Sequence, residues 1–593
     1  MKALSFKDVR IKDEFWSPRI KINREATLPT ELELCKSTGR IDAFKLDWKE
    51  GMPNKPHQFW DSDVAKWIEA AAYSLAEFPD EKLEREVDSV IELIEKAQAP
   101  DGYFNSYYQT FGIEKRWTNL KSMHELYCAG HLIEAAVAYF ESTGKGKFLE
   151  IMCRYADLIC ESFGTEAGKI KGYPGHQEIE LALVRLYSVT GEKRYLELAK
   201  FFVMERGRKP HYFNEEAKAR GDSPKEENEY IGFQAHKPAL EQKEADGHAV
   251  RACYFYSGMA DLAWETGDEA LLGACRTLWK NIIEKRMYVT GGIGSCRHGE
   301  RFSFDYDLPN EEAYAETCAA IALVFFAKRM LNMECDSEYA DIMEKALYNG
   351  VISGVSLDGK KFFYENPLAV DPEATAFHKW TRGSGEVQRQ EWFNTSCCPP
   401  NIARLLASLS GYIYSHDERR LMVNLYISNE AEFETGKIKL EQETDLPWNG
   451  NVKMKIASGS AEFAMALRIP DWCGDYEFKV NGSAINPEIE NGYALIERFW
   501  NEGDKVEIVF SMPVRLMESH PAVRQNCGKV AIQRGPLVYC LEEADNGKRL
   551  NDIVLDSDQT FDIVNDDALF KGAFAITAKA KKRAPGDWGN KLY

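Results

Sequence analysis

Two adjacent cysteines followed by two prolines stand in the stretch NTSCCPPNIAR, residues 394–404. Proline has no N–H and a fixed φ, so Pro399 and Pro400 suit a first helical turn and not a helix interior. Beyond them Ile402, Leu405, Leu406, Leu409 and Ile413 recur at helical spacing. Cys397 and Cys398 are therefore predicted to sit at a helix N-terminus. The macrodipole and free N–H groups there favour thiolate over thiol. A thiolate is a nucleophile or a metal ligand, and this pair can serve as either or both.

Glu316 and Cys318, in AYAETCAA, are the next candidates. Residues two apart do not share a helix face. They can bind one ion only if the backbone there is at a helix start or irregular. With Cys397 and Cys398 they would supply one carboxylate and three thiolates, an adequate tetrahedral set for Zn²⁺ at a spacing unlike the common zinc fingers. The plainer alternative is a helix with an exposed glutamate and a buried cysteine.

The glycine-rich run YVTGGIGSCRHG, residues 288–299, precedes Glu300 and does not match a phosphate-binding loop. Glu300 is then a solvated loop acid, or a general acid if a thiolate nucleophile lies close. His124, His131, His176 and His248 each fall at or near a helix start. They would share one end of the molecule if the helices pair as set out below. Trp60, Trp117, Tyr173, Tyr364 and Trp392 lie in loops near that end and suit sugar stacking or packing equally. Asp61 and Asp63 read as caps and polar lining.

The elements that must position these residues are helical hairpins. Helices are predicted to start near Met123, Lys147, Gln177, Lys193, Ala249, Glu269, Glu311 and Ser337, after earlier ones over 59–78 and 81–97. ESTGKGKFLE, SVTGEKRYLE and WETGDEALLG repeat one theme: helix, Thr-Gly, a short charged turn, helix. Glycine there fits a helix C-cap. Longer aromatic and glycine-rich loops lie at the opposite ends. Roughly six uneven hairpins favour a closed (α/α)6 barrel with its site in the mouth over an open solenoid. The stretch Glu215–Lys243 lacks a periodic core pattern and reads as a mobile insertion able to act as a lid.

After Tyr414 the texture changes to period-two segments such as NVKMKIA and KVEIVFSM, the pattern of an antiparallel β-sandwich. The predicted domains are a barrel over 1–414, a sandwich over 415–518 and a smaller β-rich segment over 519–593.

The chain has 593 residues, a formal charge of -20, 44% hydrophobic and 28% charged residues. That charge argues against nucleic acid as a partner and suits a neutral glycoside. No apolar run approaches the roughly 20 residues of a membrane helix. The N-terminus lacks a signal-peptide core, and most of the 14 cysteines fall on helical apolar faces. The expected compartment is therefore a reducing cytoplasm, with a homodimer as one possible assembly.

Taken together, WDSDVAKWIEAAAYSL, MHELYCAGHLIEAAVAY, HQEIELALVRLY, YVTGGIGS, Glu300, DLPNEEAYAETCA, TSCCPPNIARLLASL and QRGPLVYCLE resemble glycoside hydrolase family 127, the family of β-L-arabinofuranosidases. The resemblance runs through the helical region and into the strands. It implies an (α/α)6 barrel followed by β-sandwich domains and a retaining exo-glycosidase acting on β-L-arabinofuranosides or a related sugar. By motif position it implies Cys397 as nucleophile and Glu300 as general acid/base, with Zn²⁺ held by Glu316, Cys318, Cys397 and Cys398. His124, His176, His248 and Tyr364 match sugar-binding positions, and His131 fits the motif without a role. The chain looks short at its C-terminus beside longer members. Two alternatives remain on the residues alone: an epimerase or lyase on the same barrel, or a carbohydrate-binding protein with a structural zinc.

Overall fold

In the computed structural model, residues 1–593 are described except 383–387, 434–436, 557, 568–571, 584–585 and 587–593. The last few residues of the predicted 519–593 segment thus lie outside the described residues.

Two kinds of helix build the N-terminal region, and their sequences say which is which. In Trp60–Glu77 every residue from Asp61 to Leu75 is buried. Four buried alanines in that helix, Ala65 and Ala70 to Ala72, let neighbouring helices approach on several sides. In Glu81–Ala97 only Val87, Val90, Ile91, Ile94 and Ala97 are buried, one stripe of a helix whose other face is charged. The first kind lines the barrel and the second wraps it. The barrel helices are α1 (residues 16–37), α2 (Trp60–Glu77), α3 (Glu81–Ala97), α4 (Glu125–Thr143), α5 (Lys147–Ser162), α6 (Ile179–Thr190), α7 (Lys193–Glu205), α8 (Ala249–Thr266), α9 (Glu269–Asn281), α10 (Thr317–Glu334), α11 (Ser337–Lys345) and α12 (Cys398–Ala407).

The even-numbered helices are inner. Each packs on the next, and α12 packs on both α10 and α2, which closes the ring. The outer helices α3, α5, α7, α9 and α11 lie against the inner helix that precedes each, while α1 covers α12 and α2. This is the expected (α/α)6 barrel. The three Thr-Gly junctions form its tight end: Gly144, Gly191 and Gly267 cap α4, α6 and α8 with φ of 74°, 73° and 66°.

The strand region is a sandwich of two sheets. One has seven strands in the order Ser483–Ile485, Tyr476–Val480, Lys505–Phe510, Asn451–Ser458, Ile438–Thr444, Asn429–Phe433, Val9–Ile11. The other has six, in the order Lys2–Ala3, Tyr414–His416, Arg420–Val423, Ala461–Arg468, Tyr493–Trp500, Glu488–Glu490. Every pairing is antiparallel except that of Arg420–Val423 with Ala461–Arg468. The period-two reading holds in detail: Val452, Met454 and Ile456 face the core of one strand, Val506, Ile508 and Phe510 that of its neighbour. The N-terminal eleven residues add one strand to each sheet before the chain enters the barrel. The sandwich is fixed to the barrel by Arg468, which is fully buried and pairs with Asp341 and Glu344 of α11. Trp472 Nε1 donates to the same Glu344 at 2.8 Å. Residues 514–582 form a three-stranded sheet (Val514–Met517, Ala531–Arg534, Leu537–Tyr539) and two short strand pairs.

Two local expectations are corrected. The helix anticipated near Glu311 begins at Thr317, because 311–316 pair with other loops: Ala315, at φ 40°, donates its N–H to Gly294 O. The insertion at 215–243 is folded and packed. It contains most of the helix Tyr212–Arg220 and a helical turn at Glu227–Phe233, with Glu216, Ala217, Tyr230, Gln234, Ala235, Ala239 and Gln242 buried. Its order comes from aromatic contacts and side-chain-to-backbone bonds, which leave no periodic trace in the sequence. Among the described residues no helix is long and apolar enough to cross a membrane.

Candidate active site

Two helix N-termini meet at the open end of the barrel. Cys397 is the cap residue of α12, and Pro399 and Pro400 occupy its first turn. Glu316 is the cap residue of α10, with φ -58° and ψ 139°, and Cys318 lies one turn-step inside. The extended backbone at Glu316 lets residues two apart face one point, which an unbroken helix would forbid. Glu316 Oε1 lies 3.6 Å from both Cys397 Sγ and Cys398 Sγ. Cys398 Sγ is 3.3 Å from Cys318 Sγ and 3.9 Å from Cys397 Sγ.

Those spacings can be tested against a metal. Ligands about 2.3 Å (S) or 2.1 Å (O) from a tetrahedral Zn²⁺ stand roughly 3.5–3.8 Å apart; the four separations just given run from 3.3 to 3.9 Å, and all the ligand atoms lie within 4.8 Å of one another. Glu316 Oε2 is buried and has no hydrogen-bond partner. Burial, then the Cys397 thiol, pushes the Glu316 carboxyl well above its usual range. Burial and the Cys318 thiol do the same to Cys398, and a hydrogen bond with Cys318 raises Cys397. At Cys318 burial is outweighed by hydrogen bonds from Cys397 and Cys398, which draw its thiol down to about 6. Four buried acids this close can lose their protons together only around a cation. The cluster is thus able to hold a metal ion, and its oxygen and sulfur donors suit Zn²⁺.

Glu300 faces this cluster. Its carboxylate and that of Glu316 each have an oxygen within 4.8 Å of the other. It accepts from Tyr314 Oη at 2.8 Å and lies 2.6 Å from His248 Nε2. The backbone makes that last contact: Ala249 N donates to Glu300 O and Phe302 N to Gly247 O, so the strand before α8 runs beside residues 300–302. Burial opposes charge on Glu300, but His248, Tyr314 and Arg251 outweigh it and hold the carboxyl low, at about 2. Burial pulls His248 toward the neutral form against the attraction of Glu300. His248 Nε2 and the Glu300 carboxylate are within hydrogen-bond reach.

Three of the four histidines reach the mouth together. His124 caps α4 and His248 caps α8. The His176 ring lies between them, with centroids 5.6 Å and 5.5 Å away. Burial, then the charge of Arg251, holds His124 down at about 3 and His176 well below its usual value. Both are neutral imidazoles, able to donate and accept at once. His176 Nδ1 is 2.9 Å from Gln177 O, an acceptor only, so Nδ1 carries the proton and Nε2 accepts. Tyr364 Oη lies 3.1 Å from Cys397 Sγ.

The other candidates fall elsewhere. His131 is fully buried inside α4, 3.0 Å from Glu178. Trp117 packs on Tyr103, Tyr155 and Phe163, and Tyr173 on Tyr212 and Phe213, so neither is a sugar platform. Asp61 accepts from Ser106 N at 2.9 Å, and Asp63 pairs with Arg40 at 2.8 Å. Trp60 and Trp392 both face the Arg40 guanidinium, at 5.1 Å and 5.2 Å. Residues that spacing could not single out are Tyr314, Arg251 and Arg40. A tyrosine or arginine in a loop or helix is too common to signal a site until its partner is known.

The catalytic-domain model of the GH127 β-L-arabinofuranosidases matches residues 8–411, the family's middle domain 420–512 and its C-terminal domain 514–578. A non-reducing end β-L-arabinofuranosidase of Bifidobacterium longum subsp. longum is 42% identical over 505 residues, 82% of this chain and 76% of that protein. The crystal structure of a GH127 β-L-arabinofuranosidase from Geobacillus stearothermophilus T6 superposes with a TM-score of 0.95 at 48% identity, covering 99% of this chain and 94% of that one. A second GH127 β-arabinofuranosidase superposes with a TM-score of 0.90 at 40% identity, over 98% and 92% of the two chains. This chain therefore belongs to glycoside hydrolase family 127 and is a glycoside hydrolase.

Proposed function

We propose that the protein is a retaining exo-glycosidase that releases non-reducing terminal β-L-arabinofuranosyl groups, or a closely related sugar, with Cys397 as nucleophile and Glu300 as general acid and base. One observation carries the choice of nucleophile. Of the four residues in the cluster, Glu316, Cys318 and Cys398 are buried and Cys397 alone is partly exposed. It is the thiol a substrate can touch. The sugar is taken from the activity named for the Bifidobacterium and Geobacillus relatives.

Glu316, Cys318, Cys397 and Cys398 would hold Zn²⁺. Bound there, the ion keeps the thiols deprotonated at neutral pH. The neutral imidazoles of His124 and His176 exchange hydrogen bonds with the sugar hydroxyls. Substrate entry excludes water, which favours the neutral His248–Glu300 pair, imidazole beside carboxylic acid, over the ion pair. Cys397 Sγ gives an electron pair to the anomeric carbon while the bond to the leaving oxygen breaks and Glu300 protonates that oxygen. A glycosyl thioether results. Glu300, now a carboxylate, takes a proton from water as its oxygen attacks the same carbon, and the C–S bond breaks to return the thiolate. Two inversions retain configuration.

The test is hydrolysis of p-nitrophenyl β-L-arabinofuranoside followed by NMR, with Cys397→Ser and Glu300→Gln beside the wild type. The first-formed sugar should be the β anomer, Cys397→Ser should be inactive, and Glu300→Gln should be severely slowed. Full activity in Cys397→Ser, or an α product, overturns the reading.

A further inference from the structure

The turn that carries Glu300 is strained and has few bonds of its own. Gly299 and Glu300 have φ of 77° and 52°, a region costly for a residue with a Cβ. Within the turn, Glu300 N donates to Arg297 O, and Cys296 and Arg301 exchange backbone bonds. Backbone bonds tie the loop before it to Tyr314 and Ala315, and Asn366 to Tyr314; a side-chain bond ties the turn itself directly to the residue after Tyr364. The Arg297 guanidinium donates from Nη1 to Glu365 Oε1, with Nη2 in ion-pair contact with Oε2.

Both ends of this pair lead to reacting groups. Glu365 follows Tyr364, whose Oη touches Cys397 Sγ. The Tyr364 carbonyl accepts from Thr317 N at 2.9 Å, the residue between Glu316 and Cys318. Arg297 is three residues from Glu300. Its guanidinium also lies over the Tyr314 ring, 5.7 Å from the centroid, and Tyr314 Oη donates to Glu300. A charge-assisted hydrogen bond is directional as well as attractive. Arg297 and Glu365 are 29% and 15% exposed, so water reaches the pair and replacing either member leaves no fully buried charge behind.

We infer that the Arg297–Glu365 ion pair is a latch that sets the separation of Glu300 from Cys397 across the anomeric carbon, which makes both members positioning residues for proton delivery to the leaving group. The inference rests on the assignment of Glu300 as acid. Without the latch the strained turn relaxes, Glu300 drifts from the leaving oxygen, and the nucleophile keeps its place through the contacts of α10 and α12.

The experiment compares two substrates. p-Nitrophenyl β-L-arabinofuranoside has a leaving group that needs little protonation, whereas methyl β-L-arabinofuranoside needs a proton donor. Arg297→Met and Glu365→Gln should each lower kcat/KM, which reports thioether formation alone, for the methyl glycoside by roughly ten- to a hundredfold and change kcat/KM for the nitrophenyl glycoside far less. Zinc content and Tm should stay at wild-type values. The double variant should be no worse than either single one, since two halves of one latch are lost only once. Equal losses on both substrates, no loss on either, or additive losses in the double variant would overturn the latch. Glu300→Gln is the control. If it shows the leaving-group dependence and the latch variants do not, only the latch fails. If it shows none, the assignment of Glu300 fails with it.

Discussion

Tyr364 Oη lies 3.1 Å from Cys397 Sγ, and the tyrosine is held there by the bond from Thr317 N to its own carbonyl. Burial first, and then the Cys397 thiol, raise the Tyr364 phenol well above its usual value. It stays protonated and donates to the sulfur. A hydrogen bond to a charged group is worth about 1.5–3 kcal/mol. Tyr364→Phe is therefore expected to slow turnover of p-nitrophenyl β-L-arabinofuranoside by roughly ten- to a hundredfold, with zinc content unchanged. Zinc loss in this variant would show instead that the phenol holds the cluster together.

Arg40 fixes the turn that leads into Cys397. Its guanidinium is 2% exposed and donates to Asp63 at 2.8 Å, Thr38 Oγ1 at 2.7 Å, Asn394 O at 3.0 Å and Ser396 Oγ at 3.3 Å. Lysine keeps the charge but not the fork. Arg40→Lys is expected to lose about 2–3 kcal/mol of stability and part of the bound zinc, read as Tm and metal content. Wild-type values for both would remove Arg40 from any role in seating the thiols.

Zinc binding and pH should be linked with a definite sign. Glu316, Cys397 and Cys398 hold their protons more tightly than usual, and a metal must displace those protons. Affinity therefore falls as pH falls. Adding zinc to chelator-treated, reduced protein should raise Tm more at pH 8 than at pH 6. Saturation at about a thousand times Kd corresponds to roughly 4 kcal/mol. An equal rise at both pH values would mean that the ligands are already deprotonated without the metal.

The parts of this arrangement that follow local rules were legible before the structure. Two prolines after Cys398 mark a helix start, Thr-Gly junctions mark the tight end of the barrel, and the separation of Glu316 from Cys318 demands a non-helical backbone that the cap conformation provides. What was not legible depends on distant partners. Arg40 reaches carbonyls more than 350 positions away, and Tyr314 meets Glu300 only because Ala315 turns into a left-handed conformation. Strands at Lys2–Ala3 and Val9–Ile11 are too short to read as parts of a sheet until the sandwich at the far end of the chain supplies their neighbours.

Glu125, the residue after His124, offers a test of the barrel away from the metal. Its carboxyl is buried, accepts from Tyr103 Oη and from Trp117 N at 2.9 Å, and is raised by burial to about 8 despite those donors. A carboxyl whose folded-state pKa is raised contributes stability that is complete below the unfolded value near 4.5 and is lost as pH rises through the folded value. The loss is on the order of 5 kcal/mol if the whole shift is realised. Glu125→Gln imitates the protonated acid: its amide can donate to Tyr103 Oη while its oxygen accepts from Trp117 N. The variant should match the wild type near pH 5 and exceed it in Tm increasingly up to about pH 8. A constant difference across that range would mean that Glu125 is ionised throughout, and that the Tyr103 and Trp117 donors outweigh burial at this position.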